Sequence, residues 1–575
     1  MKSAKRPFCT AIFLCASLLV NSVFAQERSF IDAIGQKNHW VDSVFNKMNR
    51  RKKIAQLFFV RALTNKGPEY EDSVANVISD EQVGGLVFFQ GGPVRQAELE
   101  NRYQQLAKVP LLIAMDGEWG LGMRLDSTTS FPFQMTLGAI QDNKLIYKMG
   151  QEVAYDFRRM GMQMNLAPDM DVNNNPNNPV INYRSFGDNK YNVAEKGIQY
   201  MKGMQSAGLL TTAKHFPGHG DTNVDSHLDL PLLPFSRQRL DSLEEYPFRE
   251  AIKAGISGVM IAHMDIPALD NTKDLPSTLS PKIVTGVLKD SIGFKGLVVS
   301  DAMEMKAVVK YFPNGEADVR AFLAGNDIIE LSENSDRAIK LIRKVVRKEQ
   351  ISSELFEAKV KKVLEAKYWE GLNRYRPVIT QNLVADLNRP VEKDLVQELS
   401  DRAVTLLRGD AASLQMSPLR KTAIVCIGTA EPTVFQQELS KWYIDHSVFN
   451  VAANSPENEL KELLDVLNDY DQVFVSINDT RARPASKLNY SAAVFSFIDQ
   501  LCARRQTVTC VFANPYTIAG MPGVEKSGAL LVCYQMTDEL QRSAVKAITR
   551  QMDPIGRLPV TIDAQLTTGF GLQAK

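Results

Sequence analysis

Residues 209–231 read LLTTAKHFPGHGDTNVDSHLDLP. The stretch opens as an apolar run closing on Lys214 and His215, then breaks into Gly, Pro and Asp that neither helix nor strand accommodates. It holds three of the chain's six histidines and three aspartates. A solvated surface loop, a metal site and a catalytic loop all fit that composition. The place of the run among its neighbours decides between them.

From residue 50 onward, similar runs recur at Gln56–Val60, Val83–Phe89, Pro110–Asp116, Met162–Ala167, Gly255–His263, Gly293–Asp301 and Gly325–Leu331, making eight with Leu209–His215. Between them, helical patterns at 145–160, 192–206, 239–254 and 337–348 repeat apolar residues three and four apart. Eight strand-helix units over about 320 residues predict an α/β fold of the (β/α)8 TIM-barrel type. The segment 372–400, with scattered Pro, Arg and Asn, breaks the rhythm and reads as a linker. Five further runs, at Thr422–Gly428, Ser447–Ala452, Gln472–Asn478, Thr507–Asn514 and Gly528–Tyr534, predict a smaller doubly wound domain over 401–575. The glycine-rich phosphate motifs of nucleotide binders are missing from it, so a packing or interface role is expected.

The first 25 residues place a basic start before an apolar core, Ala11 to Val20, and a small-residue site ending at Ala25. That order predicts a secretory signal peptide, because the apolar run is too short to span a bilayer. The remainder, with the barrel at 26–371, is expected to be exported to the periplasm or secreted, without stable membrane insertion. A net charge of +1 gives no pull toward nucleic acid. Cys426, Cys502, Cys510 and Cys533 lie in apolar runs at no zinc-like spacing and read as buried free thiols.

Barrel active sites form where the strands end, so the residues closing each run carry information. They are Asp116, Lys214-His215, His263 and Asp301, with Asn182-Tyr-Arg184-Ser-Phe-Gly-Asp in the loop after the fourth run. One Asp at a strand end is an ordinary turn device. Acid, cation and imidazole on neighbouring strand ends are not.

With these residues in view, KHFPGHGDTNVDSHLDLP resembles the signature loop of bacterial β-N-acetylglucosaminidases of glycoside hydrolase family 3. Asp116, Glu118 and Arg124, the RSFG stretch at 184–187 and SDAMEM at 300–305 resemble further motifs of that family, in its order. The resemblance implies a second domain of the αβα sandwich type and a retaining exo-enzyme releasing terminal β-linked N-acetylglucosamine from peptidoglycan fragments or related glycans. It also implies that Asp301 is the nucleophile and His227, paired with Asp225, the acid/base. Asp116, Arg124, Arg184, Lys214 and His215 would bind the hydroxyls and acylamino group of the sugar. No cofactor is implied. The family's Gly-Gly-Arg-type run is replaced here by Trp119, Leu121 and Gly122 in GEWGLGMR, which puts the fine shape of the pocket in question.

The residue types suit the chemistry. Retaining hydrolysis needs a carboxylate fixed at the anomeric carbon, and a strand end fixes one well. An imidazole as acid/base avoids placing a second carboxylate opposite the first, and Asp225 two residues earlier can fix its tautomer. Gly218 and Gly220 let the chain leave the strand and swing His227 over a sugar. His219 is expected to pack the loop, and His263 to line the pocket or fill the barrel. A metal site is disfavoured by the Lys214 cation beside the candidate ligands. A β-glucosidase of the same family, a phosphorylase and a non-catalytic binder of cell-wall sugars are the competing readings.

Overall fold

In the computed structural model, residues 29–504 and 506–574 are described; the expected signal peptide lies outside them. Among the described residues no helix is long and apolar enough to cross a membrane.

The eight runs form β1 (Phe58–Ala62), β2 (Gly85–Phe88), β3 (Leu112–Met115), β4 (Met164–Asn165), β5 (Leu210–Phe216), β6 (Gly258–Ile261), β7 (Leu297–Ser300) and β8 (Ile329–Glu330). They run parallel in the order β7-β6-β5-β4-β3-β2-β1-β8. A parallel bridge between Val299 and Ile328 joins the two ends into a barrel. Every strand except β1 is buried along its whole length, which is why the sequence shows apolar runs rather than alternation.

Outside the barrel, α1 (Asn143–Arg159) and α2 (Lys190–Ser206) pack at unusually close range. A Cβ on Gly203 would lie 2.1 Å from the Tyr147 carbonyl oxygen, so only glycine fits there. The helix expected over 239–254 is interrupted. A π-helical turn spans Leu240–Glu244, and Pro247, which has no N–H to donate, sits in the first turn of the helix Tyr246–Lys253.

Within the segment expected as linker, α3 (Pro390–Ala403) is a helix whose Leu395, Val396 and Leu399 are buried. It packs on α1 of the barrel and on α4 (Asp538–Ile548). The second domain is a six-stranded sheet of β9 (Thr405–Arg408), β10 (Thr422–Ile427), β11 (His446–Val451), β12 (Gln472–Asn478), β13 (Thr507–Phe512) and β14 (Ala529–Val532), ordered β11-β10-β12-β13-β14-β9. Its sixth member, β9, pairs antiparallel with β14. Its four residues follow α3 directly, with no turn residues to announce a strand. Cys426, Cys502, Cys510 and Cys533 are free and buried.

The second domain grips the barrel's long loop after β4. Asn514 and Tyr516 hydrogen-bond Asn182 and Asn173. Further on, the Asp188 N–H donates to the Pro559 carbonyl at 3.1 Å, and its carboxylate accepts from the Thr561 N–H at 2.7 Å.

Where α1 meets α3, Asp156 is fully buried beside Glu392, which Arg389 holds at 2.9 Å. Burial, then the Glu392 carboxylate, pushes Asp156 up to about 9. An unfolded Asp titrates near pH 4 (about 3.9). The folded chain therefore keeps a proton that the unfolded chain releases. This contribution to stability is fully present below about pH 4 and is lost as pH rises toward about 9. Asp156→Asn is expected to flatten that slope, raising Tm relative to the parent near pH 8.5 more than near pH 5 (both about). Calorimetric melts across this range, with parallel slopes for the two proteins, would refute it.

Candidate active site

The polar strand ends converge at one mouth of the barrel. Lys214, buried near the end of β5, sends its ammonium between two carboxylates, 2.8 Å from Asp116 Oδ1 and 2.8 Å from Glu118 Oε1. Asp116 follows β3 directly. A 3-10 turn, Leu121–Met123, brings Arg124 back so that its Nη2 reaches Asp116 Oδ2 at 2.6 Å. Burial would raise the Asp116 carboxyl, but Lys214 and Arg124 outweigh it and hold the group far below the usual range. Arg184, on the loop after β4, grips Glu118 with Nη2 at 2.7 Å and Nε at 3.0 Å. The five residues expected to bind sugar, Asp116, Arg124, Arg184, Lys214 and His215, thus lie in one connected cluster.

The His215 ring places Nδ1 2.8 Å from Asp171 Oδ2, so that nitrogen donates and Nε2 is left toward Arg184 at 3.5 Å. Asp171 also accepts from the backbone N–H of His219 at 2.6 Å. Burial pushes up both Asp171 and its neighbour Asp169. His215 outweighs the effect at Asp171, which is held low. Asp169, with Asp171 as the next largest influence, stays well above the carboxylate range and keeps its proton. Asp169, Asp171 and His215 offer ligand atoms within 4.8 Å of one another. The His215-Asp171 hydrogen bond occupies two of those ligand atoms, and the Arg184 guanidinium, 3.8 Å from Asp169, opposes a cation there. His219 is buried between Thr222 at 2.8 Å and Ser226 at 3.3 Å, and burial, with His215, lowers it to about 4. It packs the loop as a neutral ring.

Asp301 follows β7, its Oδ1 accepting from the Ala302 N–H at 2.7 Å. Burial would raise its carboxyl, but His263, His215 and the Ala302 N–H together hold it below the ordinary value. His263 is buried, with Nδ1 2.7 Å from Thr278 Oγ1 and Nε2 3.1 Å from the Ala302 carbonyl, so it braces the turn that carries Asp301.

In the loop after β5, one oxygen of Asp225 accepts both the His227 backbone N–H at 2.9 Å and its ring Nδ1 at 2.8 Å. The ring is 65% exposed and its Nε2 has no hydrogen-bond partner among the described residues. The charge of His227 acts on both Asp301 and His263. The loop is tied down beyond the dyad, where Lys310 and Tyr311 clamp Asp229 at 2.9 and 3.0 Å.

Residues 50–366 match the family model described as the glycosyl hydrolase family 3 N terminal domain. The chain belongs to glycosyl hydrolase family 3. Beta-hexosaminidase A of Pseudoalteromonas piscicida is 33% identical over 397 residues, covering 63% of this chain and 64% of that protein. A Cellulomonas fimi protein named beta-N-acetylglucosaminidase/beta-glucosidase is 28% identical, over 66% of this chain and 68% of its own length. The chain thus spans about two thirds of these two relatives. A solved glycoside hydrolase family 3 beta-N-acetylglucosaminidase from a Paenibacillus species superposes with a TM-score of 0.76 at 31% identity, covering 91% of this chain and 100% of that one.

Three site residues escape the sequence reading of this family 3 chain. Asp169 and Asp171 stand two apart in LAPDMDVN, a period-two carboxylate pair after the fourth run that the RSFG motif overshadowed. Glu330, the last residue of β8, is hidden inside the run NDIIELSEN. Trp119, which the sequence did single out, packs its ring 4.7 Å from Phe133 and 6.2 Å from Tyr183, the chain neighbour of Arg184.

Removing the Lys214 ammonium leaves Asp116 and Glu118 facing each other, each with one arginine in place of two cations. Lys214→Met is expected to cost about 3–5 kcal/mol in urea unfolding. Adding Glu118→Gln should recover part of that loss. A double variant whose cost equals the sum of the two single ones would show that the charges do not interact.

Proposed function

We propose that the chain is an exported, retaining exo-β-N-acetylglucosaminidase acting on terminal β-linked N-acetylglucosamine of peptidoglycan fragments or related glycans. The observation carrying this reading is the Asp225-His227 pair, whose Nε2 is free among the described residues and whose charge reaches Asp301. An Asp301 oxygen attacks the anomeric carbon while the imidazolium of His227 gives its Nε2 proton to the departing oxygen. The neutral imidazole then takes a proton from water, which attacks the same carbon and releases Asp301, so the anomeric configuration is kept. Asp225 stabilises the charged ring through Nδ1 in both steps. Asp116, Arg124, Arg184, Lys214 and His215 hold the hydroxyls and the acylamino group. The two named activities of the Cellulomonas relative support a second reading, a site that takes glucosides as well. The first 25 residues serve export in this reading.

Asp301→Ala is expected to abolish hydrolysis of nitrophenyl N-acetylglucosaminide, read as nitrophenol release. His227→Ala is expected to slow turnover by about two to four orders of magnitude on substrates with poor leaving groups, and far less with leaving groups that need no proton. A harmless His227→Ala on a poor leaving group would sink the dyad assignment. Parallel rates on glucosides, muropeptides and chitobiose rank the substrates. Product anomers followed by NMR, and any sugar 1-phosphate formed in phosphate buffer, separate hydrolase from phosphorylase.

A further inference from the structure

Glu330 is buried to 3% exposure at the mouth of the barrel. Its backbone is clamped to the segment carrying Asp301: its N–H donates to Ser300 Oγ at 2.9 Å and its carbonyl accepts from the Met303 N–H at 2.9 Å. Among the described residues none hydrogen-bonds its carboxyl, whereas Asp116, Asp301, Lys214 and Arg61 all lie close enough for their charges to act on it. A buried carboxyl without a partner is costly, and one that stands at the mouth of a barrel among the site's charged groups is placed for a ligand to complete.

A sugar ring with C1 at Asp301 and its far end at Asp116 has two edges. One faces β4 to β6, where Arg184, His215 and His263 stand. The other faces β8, β1 and β2, where Glu330, Arg61 and Phe89 stand. On that second wall Arg61 is ion-paired with Glu304 and lies 4.3 Å over the Phe89 ring, which Arg124 also approaches, at 4.7 Å. Each arginine there has a carboxylate partner, Arg61 in Glu304 and Arg124 in Asp116, and the Glu330 carboxyl has none among the described residues.

We propose that Glu330 is a sugar-contacting specificity residue that hydrogen-bonds the hydroxymethyl group at C6 of the terminal sugar. The assignment rests on the site reading above and sets its acylamino group on the wall of Arg184 and His215, which leaves C6 facing Glu330. Burial, with Asp116 and Asp301 beside it, pushes the Glu330 carboxyl well above the usual range, so it enters as a neutral acid. In that form it donates through O–H and accepts through C=O, matching a hydroxyl that needs both. No formal charge is added next to the nucleophile.

The test is a substrate and variant cycle. kcat/KM is measured for wild type, Glu330→Ala and Glu330→Gln on nitrophenyl N-acetylglucosaminide and its 6-deoxy analogue. The 6-deoxy substrate is expected to lose about 10- to 100-fold with wild type and almost nothing with Glu330→Ala. Glu330→Gln, which keeps shape, donor and acceptor, is expected to retain most of the wild-type preference and the wild-type acid limb of the pH profile. An equal 6-deoxy penalty in wild type and Glu330→Ala overturns the proposal. So does a Glu330→Ala loss that follows the 2-acylamino group instead. If wild type turned over no N-acetylglucosaminide, the proposed function would have failed by itself. Calorimetric binding of N-acetylglucosamine and its 6-deoxy analogue to the same three proteins then decides the Glu330 contact independently.

Discussion

The Lys214 ammonium, 2.8 Å from each of two carboxylates on the loop after β3, sets the geometry of the whole pocket. It ties β5 to that loop across the intervening β4. With Arg124 and Arg184, which approach those same carboxylates from the other sides, it offsets the charge of Asp116 and Glu118. Burial makes this arrangement all or nothing. Lys214 and Glu118 are out of water and the other three nearly so, so each depends on its partners, and the removal of one unbalances the rest. A floor of this kind presents fixed donors and acceptors to a neutral polar ligand without having to reorganise when it arrives.

The groups over that floor are held in two different ways. Asp301 stands on the turn from a fully buried strand and is braced from behind by His263. His227 stands on a glycine-bearing loop, is mostly exposed, and is oriented by Asp225 alone. The difference follows from what each group has to do in the proposed reaction. A nucleophile must sit at one point, whereas a group that first gives and then takes a proton must face both a departing group and an incoming water.

Much of this could be read in the sequence, for a physical reason. A barrel strand buried on both faces is written in apolar residues, so a charged residue at its end interrupts an otherwise uniform run. Asp116, Lys214, His215, His263 and Asp301 stand out for that reason. Glu330 did not, because Leu331 follows it and the run reads on through it. Asp169 and Asp171 were obscured by the Pro and Asn around them, which read as turn chemistry. The contacts of Asn173 and Asn182 with the second domain were likewise invisible. Asparagine in a loop looks the same whether it caps its own turn or holds a partner more than 300 residues away. The brevity of β9, and a helix where a linker was expected, show the same limit, since packing between distant segments decided both.

The loop carrying Arg184 is fastened by Asp188 to Thr561 and Thr568, the latter 380 residues further along the chain. The barrel strands end at Glu330, so the core is written entirely in residues that precede this fastening, whereas the wall that carries Arg184 is held only by the far end of the chain. A chain ending short of Thr561 would keep the barrel's core residues while losing the anchor on Asp188.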